Sequence, residues 1–382
     1  MKFIHTSDLH IGRLLNTTSF LDDQKYILDL ILSIIHTKQP DVVLISGDIY
    51  DRSVPSAQAV VLFNDFITEI IIKEKIKVVI IPGNHDSNDR LSFGSEILKS
   101  NGLHIFTKLE EIYNPVQIED QYGIVNIYGI PFFQPVFIKS FLDDDPEIKN
   151  YNSAYKKLFD TIILPENSRN IVLTHAFISG CTMIDDDEMP LSIGGQEDVD
   201  SEVFAQFNYT ALGHLHKHQK PSEKVVYSGS PLKYSFNEVN HKKCLIAGEI
   251  DGAGRVTIES CELAPQKEMR VIEGAFSEIL KNAENDSQKD DYIKVKLTDE
   301  GSVFDPANRL RTYYPNLIAL EFSRFNITTN NVLKGITKEM KQLGTVEKFC
   351  MFYLDVIGKE ISEEYKTAFS GVYNEFIGSE NK

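Results

Sequence analysis

The sequence predicts an α/β protein: two sheets stacked face to face and flanked by helices, then a small α+β domain and a pair of C-terminal helices. Three observations predict it. Apolar runs of strand length alternate with amphipathic helical runs up to residue 82. Short strands follow as far as residue 250, with little helix between the last of them. After about residue 265 the pattern changes.

The elements run in this order. "KFIHTS" at 2–7 is a short strand, and 20–37 is an amphipathic helix with Ile27, Ile31, Ile34 and Ile35 on one face. "DVVLIS" at 41–46, bounded by Pro40 and Gly47, is continuously apolar, as a strand buried on both faces would be. A second helix covers about 56–74, and "KVVIIP" at 77–82 completes β-α-β-α-β. Strands at 124–130, 170–175, 209–214, 224–230 and 243–250 predict a second sheet stacked on the first. "APQKEMR" then serves as a linker, "DDYIKVKLTD" and "PNLIALEFSR" read as strands, and "DPANRLRTYY" as a helix with Pro306 near its start. Two last helices, about 345–357 and 362–377, carry aromatic stripes: Phe349, Phe352 and Tyr353, then Tyr365, Phe369, Tyr373 and Phe376. Such stripes usually pack a core, but too little chain remains to bury them, so a partner surface is expected. The expected domains are 1–264, 265–343 and 344–382.

Composition narrows the class. With 382 residues, 42% hydrophobic and 25% charged, the chain is globular and long enough for two or three domains. Cys181, Cys244, Cys261 and Cys350 lie far apart without a C-x-x-C pair, which predicts reduced thiols in an intracellular protein. "MKFIHTSDLH" turns polar too early for a signal peptide, and "EIIIKEKIKVVIIPG" is too broken by charge to span a bilayer. A soluble, cytoplasmic protein is expected. The net charge of -17 argues against a broadly basic nucleic-acid surface, yet a small cationic or metal-lined groove can coexist with an acidic exterior. Part of the acidity sits in "DDDPE" (143–147) and "DDDE" (185–188), read as solvated loops.

Chemistry collects at strand ends. Asp8 and His10 follow the first strand, Gly47, Asp48 and Asp51 the second, and "GNHD" (83–86) the third. His175 ends the "NIVLT" run and "GHLH" (213–216) ends "YTAL". "GNHD" alone is equally a tight turn with solvated side chains. Five such clusters at the carboxyl ends of five strands, where α/β sheets bind ligands, favour a site. Two of these aspartates, the asparagine and four of the histidines form a mixed N/O set suited to manganese, iron or zinc. Seven groups exceed the needs of one ion, so two ions sharing a carboxylate are expected, an arrangement that hydrolyses phosphoesters.

"DLH", "GDIYD", "GNHD", "THAF" and "GHLH" resemble the signature blocks of the calcineurin-like metallophosphoesterases, whose two-sheet sandwich the strand pattern fits. "HTSDLHIGR", "GDIYDRSVPSAQAV", "PGNHDS", "PLSIGG", "YTALGHLHKHQ" and "YSGSPLKYSFNEVNHKK" are similar, beyond that, to the SbcD family of bacterial nuclease subunits. This resemblance implies one ion on Asp8, His10, Asp48 and His216, and another on Asp48, Asn84, His175 and His214. His85 is implied as the imidazole that stabilises or protonates the leaving oxygen. Asp86 either orients His85 through a hydrogen bond or caps the following helix. Arg13 and Arg52 are candidate phosphate contacts; Arg90, Lys217 and Lys220 are as well explained as surface charges.

The resemblance further implies a metal-dependent endo- and exonuclease, with manganese as the expected ion, acting on double-stranded DNA ends and hairpins in repair and recombination. It implies a capping domain over the nuclease groove, terminal helices docked on an SbcC-like SMC-type ATPase, and a homodimer within a heterotetramer near the nucleoid. Two alternatives stand beside it: a phosphatase or cyclic-nucleotide phosphodiesterase of the same superfamily, and a non-catalytic subunit that organises an ATPase.

Overall fold

A computed structural model describes residues 1–183, 198–299, 303–323, 344–357 and 360–380. "PLSIGG", "DDDE" and the end of the expected second domain lie outside the described residues, as does the side chain of Phe376. The chain divides into two compact units, Met1–Met269 and Arg270–Lys382.

In the first unit, β1 (Lys2–Thr6) leads through a small hairpin, β2 (Leu14–Leu15) and β3 (Thr18–Ser19), into helix α1 (Leu21–Lys38). Asp22 and Asp23 in the first turn of α1, and His36 and Lys38 in the last, complement the helix dipole. Gln39 in the left-handed region and Pro40 behind it stop the helix. β4 (Val42–Ser46), α2 (Ala57–Thr68), β5 (Lys77–Ile81) and β6 (Leu103–Ile105) follow. Ser56 caps α2 by accepting a hydrogen bond from the Ala59 amide. The helix expected to run on to 74 widens over Glu69–Lys73 into a π-helical turn, where Ile70 is buried in the core.

β7 (Val116–Asp120), β8 (Gly123–Ile130), β9 (Arg169–His175), β10 (Tyr209–Gly213) and β11 (Val225–Tyr227) form the second sheet, in the order β11-β10-β9-β8-β7. The chain then returns to the first sheet with β12 (Cys244–Ile250) and β13 (Val256–Glu262), giving β13-β12-β1-β4-β5-β6. β1, β4, β5 and β6 run parallel, as do β8 to β11, while β12, β13 and β7 pair antiparallel.

Strand periodicity sorts the side chains into layers. Val42 and Leu44 of β4 point between the sheets with Ile171, Leu173, Tyr209 and Ala211, whereas Val43 and Ile45 pack on Ile27, Ile31 and Phe63 of the helices. Val172 and Leu212 face the opposite way, onto Tyr155, Leu158 and Phe204. Three apolar layers therefore hold two sheets and two helical faces together, and strand runs buried on both sides are the reason β4 and β9 read as continuously apolar.

The second unit has a three-stranded sheet, β14 (Met269–Gly274), β15 (Tyr292–Leu297) and β16 (Leu317–Phe322), in that order. Helices Phe276–Ala283 and Pro306–Arg311 supply Phe276, Ile279 and Leu310 to a small core with Ile293, Val295 and Tyr314. Helices Thr345–Ile357 and Glu363–Glu380 end the chain, with the Phe349 and Phe369 rings stacked 3.7 Å apart. Among the described residues, no helix is long and apolar enough to cross a membrane.

Candidate metal centre

The carboxyl ends of β1, β4 and β5 in one sheet, and of β9 and β10 in the other, converge. The loops after β1 and β4 are laced by backbone hydrogen bonds, Asp8 N–H to the Gly47 carbonyl at 3.0 Å and His10 N–H to that of Asp48 at 2.9 Å. Asp8 (φ 53°), His10 (φ 43°), Asp48 (φ 50°) and His214 (φ 107°) all lie in the sparsely populated left-handed region. Strain that collects on four polar residues around one point marks a functional site. Two glycines allow the close approach: a Cβ on Gly83 would collide with the Asp48 carboxylate, and one on Gly213 with the Ser46 carbonyl and the His175 ring.

The side chains meet as follows. His10 Nε2 lies 3.1 Å from His216 Nε2 and 3.7 Å from Asp48 Oδ2. His175 Nε2 lies 3.4 Å from the same Asp48 oxygen and 2.9 Å from Asn84 Oδ1, which is 3.4 Å from His214 Nδ1. Asp8 accepts from the Ser7 hydroxyl at 2.5 Å and the His214 amide at 2.9 Å. Two donor triads capable of holding an ion emerge, His10–Asp48–His85 and Asp8–Asp48–His175, each with its ligand atoms within 4.8 Å of one another. Asp48 belongs to both. His10, Arg13, Asp48, Asn84, His85, His214 and His216 line a pocket of about 150 Å³, with Asp8 and His175 buried beside them.

Electrostatics favour a cation here. Burial disfavours the charged form of every group. For Asp8 burial prevails and lifts the carboxyl to about 6. Asp48 stays well below the usual carboxylate range, because the imidazoles of His175, His10 and His85 outweigh its burial. Burial lowers His175, yet Asp48 and Asp8 carry it up to about 9. His10, dominated by burial, drops well below its ordinary value. A proton held on His175 thus supplies positive charge that a divalent ion would supply better. The two Nε2 atoms of His10 and His216 make the same point: at 3.1 Å one ring must donate to the other unless a cation takes both lone pairs.

All seven expected ligands, Asp8, His10, Asp48, Asn84, His175, His214 and His216, come together, and the mixed N/O set fits divalent transition metals. His85, expected to act on the leaving group rather than on metal, also reaches the centre. Its Nδ1 donates to the Asp51 carbonyl at 2.9 Å, and its ring lies 4.7 Å from that of His10. Arg13 lines the pocket and is paired with Asp51 at 2.8 Å.

One expectation needs correction. Asp86 neither orients His85 nor caps a helix: it accepts from the amides of Ile49, Tyr50 and Gly83, each at 3.0 Å, and clamps the loop after β4 to the loop after β5. Ser87 is the cap of the next short helix. Arg52 is 69% exposed, leans toward Asp51 at 3.6 Å and does not line the pocket. Sequence reasoning passed over Glu238 and Lys243, a buried pair behind His216. The sequence offered one weak signal: Glu238 is the only acidic residue in "YSGSPLKYSFNEVNHKK", among Lys233, Lys242 and Lys243.

The family described as calcineurin-like phosphoesterase matches residues 1–218, and the chain belongs to that family. A second family, described as the type 5 capsule protein repressor C-terminal domain (SbcD_C), matches residues 265–355. Within the superfamily the chain lies on the SbcD branch: it is 35% identical to the SbcD subunit of the SbcCD nuclease of Staphylococcus epidermidis, over 86% of this chain and 87% of that one. Solved structures similar to it include TT1561 of Thermus thermophilus (12% identity, TM-score 0.39, 69% of this chain and 99% of that one). A dimetal phosphatase from Danio rerio is another (10% identity, TM-score 0.41, 69% and 96%).

Proposed function

We infer that this chain is the nuclease subunit of an SbcCD-type complex, hydrolysing DNA phosphodiesters with two divalent ions. The observation that carries this reading is Asp48, whose carboxylate belongs to both donor triads of one pocket. Asp8, His10, Asp48 and His216 would hold one ion; Asp48, Asn84, His175 and His214 the other. When bound, the ions supply an activated water and charge compensation for the phosphoryl group.

The chain's own residues do the rest. A carbonyl only accepts, so the hydrogen bond to Asp51 keeps one proton on Nδ1 of His85, and Nε2 is the atom that takes up a second proton to give the imidazolium that acts as the acid. His85 delivers that proton to the leaving oxygen. Arg13, held by Asp51 at the pocket wall, meets a phosphate oxygen. Asp86 keeps the loops bearing Asp48 and His85 in register.

Manganese is the proposed ion, and the proposed substrates are duplex ends and hairpins, cut with an SbcC-like ATPase. The proposed homodimer forms through the first unit, where Val60 and Val61 of α2 and Phe93 and Ile97 beyond β5 are exposed. The four free thiols suit the reducing cytoplasm. The test is cleavage of blunt, overhang and hairpin DNA, with and without the ATPase and ATP, across manganese, magnesium, zinc and iron. Metal-dependent cleavage of DNA is expected; turnover of phosphomonoesters or cyclic nucleotides with none of DNA would overturn the nuclease assignment.

A further inference from the structure

His216 is supported differently from His175 and His85. His175 Nδ1 is held by the Ser46 carbonyl at 2.9 Å and His85 Nδ1 by that of Asp51 at 2.9 Å, both neutral acceptors. His216 Nδ1 meets a carboxylate instead, Glu238 Oε1, at 3.1 Å. Glu238 is fully buried, and its other oxygen is ion-paired with Lys243, itself 5% exposed. Lys243 also donates to Ser230 Oγ at 2.7 Å and to the His216 carbonyl at 2.8 Å, and the Tyr234 amide donates to Glu238 Oε1 at 3.1 Å.

Burying an ion pair is costly, and an apolar pair of similar volume often serves stability as well. The placement of this one behind a single imidazole points to a task at that imidazole. A carboxylate accepts hydrogen bonds only, so His216 must carry its proton on Nδ1, which turns the Nε2 lone pair toward His10 and the centre.

We propose that Glu238, anchored by Lys243, is a positioning residue that fixes the orientation and tautomer of His216, so that the ion on the His216 side depends on the segment 228–243 while the ion on the His175 side does not. The proposal rests on the two-ion reading above. Lys243 keeps the carboxylate charged and aimed; Glu238 acts through the ring and touches neither substrate nor ion. A glutamine at 238 keeps the shape but can present an N–H to Nδ1, letting the ring carry its proton on Nε2, where it blocks a ligand bond.

The experiment titrates manganese into metal-free full-length protein by calorimetry, with bound metal counted by elemental analysis, for wild type, Glu238→Gln, His216→Ala and the double variant. Wild type should take up two ions; a single ion there would overturn the two-ion reading itself. In Glu238→Gln one of the two affinities should fall by about 10- to 100-fold, the usual effect of removing a partner behind a ligand, with the other unchanged. In the His216→Ala background Glu238→Gln should cost nothing further, because a residue acting through a ring has no effect once the ring is gone. Unchanged affinities in Glu238→Gln, equal weakening of both, or additional loss in the double variant would each overturn the proposal. Since Glu238→Gln strands a buried lysine, Glu238→Gln with Lys243→Met is measured alongside as a neutral pair, and the same one-sided loss is expected.

Discussion

The sandwich and the two terminal helices use apolar residues in opposite ways. In the sandwich, each strand sends alternate side chains into closed layers, and Ile4, Val43, Ile171 and Leu173 are fully buried. In the terminal helices Phe349, Phe369 and Tyr373 stack on one another, while Met351, Phe352, Leu354, Tyr365 and Val372 remain exposed. The first region closes its own core and can hold four residues of the centre in strained backbone; among the described residues, the second leaves part of its apolar surface exposed. Chemistry sits where the fold is self-sufficient, and the proposed ATPase surface where apolar side chains stay exposed.

Asp48→Asn should make the sharpest break between them. Replacing the carboxylate shared by both triads weakens both ions together, so cleavage should fall by more than about 10³-fold, beyond the loss of a single electrostatic group. Capture of the proposed ATPase by the terminal helices should be unaffected. A cleavage assay and a pull-down on the same preparation check both halves, and an active Asp48→Asn would end the bridging assignment.

His85→Ala tests labour within the sandwich. Turnover on DNA should drop by roughly 10²- to 10⁴-fold, the range for losing a general acid, with both metals retained. The loss should shrink on a nitrophenyl phosphodiester, whose leaving oxygen needs little protonation. Because His85 shares a donor triad with His10 and Asp48, metal loss in this variant would instead make it a ligand.

The site was legible in sequence because parallel strands carry their carboxyl ends to one edge, so short motifs far apart in the chain had a common destination. What neighbours each residue finds there was not legible. Adjacency to His85 suggested that Asp86 serves it, but consecutive side chains diverge, and three backbone amides capture the carboxylate. Glu238 follows no strand end and has no periodicity to mark it. The strands β7 and β13 went unread for a related reason: they are sheet edges, and β13 in particular has a largely solvated face without a long apolar run.

Stability should separate the two regions in the opposite sense from partner binding. Ile171→Ala, in the layer between the sheets, should cost about 2–5 kcal/mol, as large-to-small core changes do. Phe352→Ala combined with Tyr365→Ala removes side chains that are 61% and 62% exposed, so melting temperature should hardly move. Affinity for the proposed ATPase should nevertheless fall by about 2 kcal/mol or more, as for aromatic anchors of an interface. Unchanged affinity, measured by calorimetry or surface binding, would leave the exposed aromatics without a partner role.

The smallest expected effect lies between two arginines on either side of one carboxylate. Arg13 donates to Asp51 Oδ1 at 2.8 Å, is 29% exposed and lines the pocket; Arg52 approaches the other Asp51 oxygen at 3.6 Å and is 69% exposed. Both were read from sequence as phosphate contacts, and only the geometry distinguishes them. A charged hydrogen bond at a pocket wall contributes about 1.5–3 kcal/mol, so Arg13→Ala should raise KM for DNA by roughly tenfold or more. The loose, solvated Arg52 pair belongs to the class of surface ion pairs worth about 0–1 kcal/mol, so Arg52→Ala should change KM by less than about fivefold. Measuring KM at two ionic strengths sharpens the contrast, because screening weakens exposed charges more than partly buried ones. A larger loss from Arg52→Ala than from Arg13→Ala would mean that DNA enters past Arg52, and would reverse the assignment.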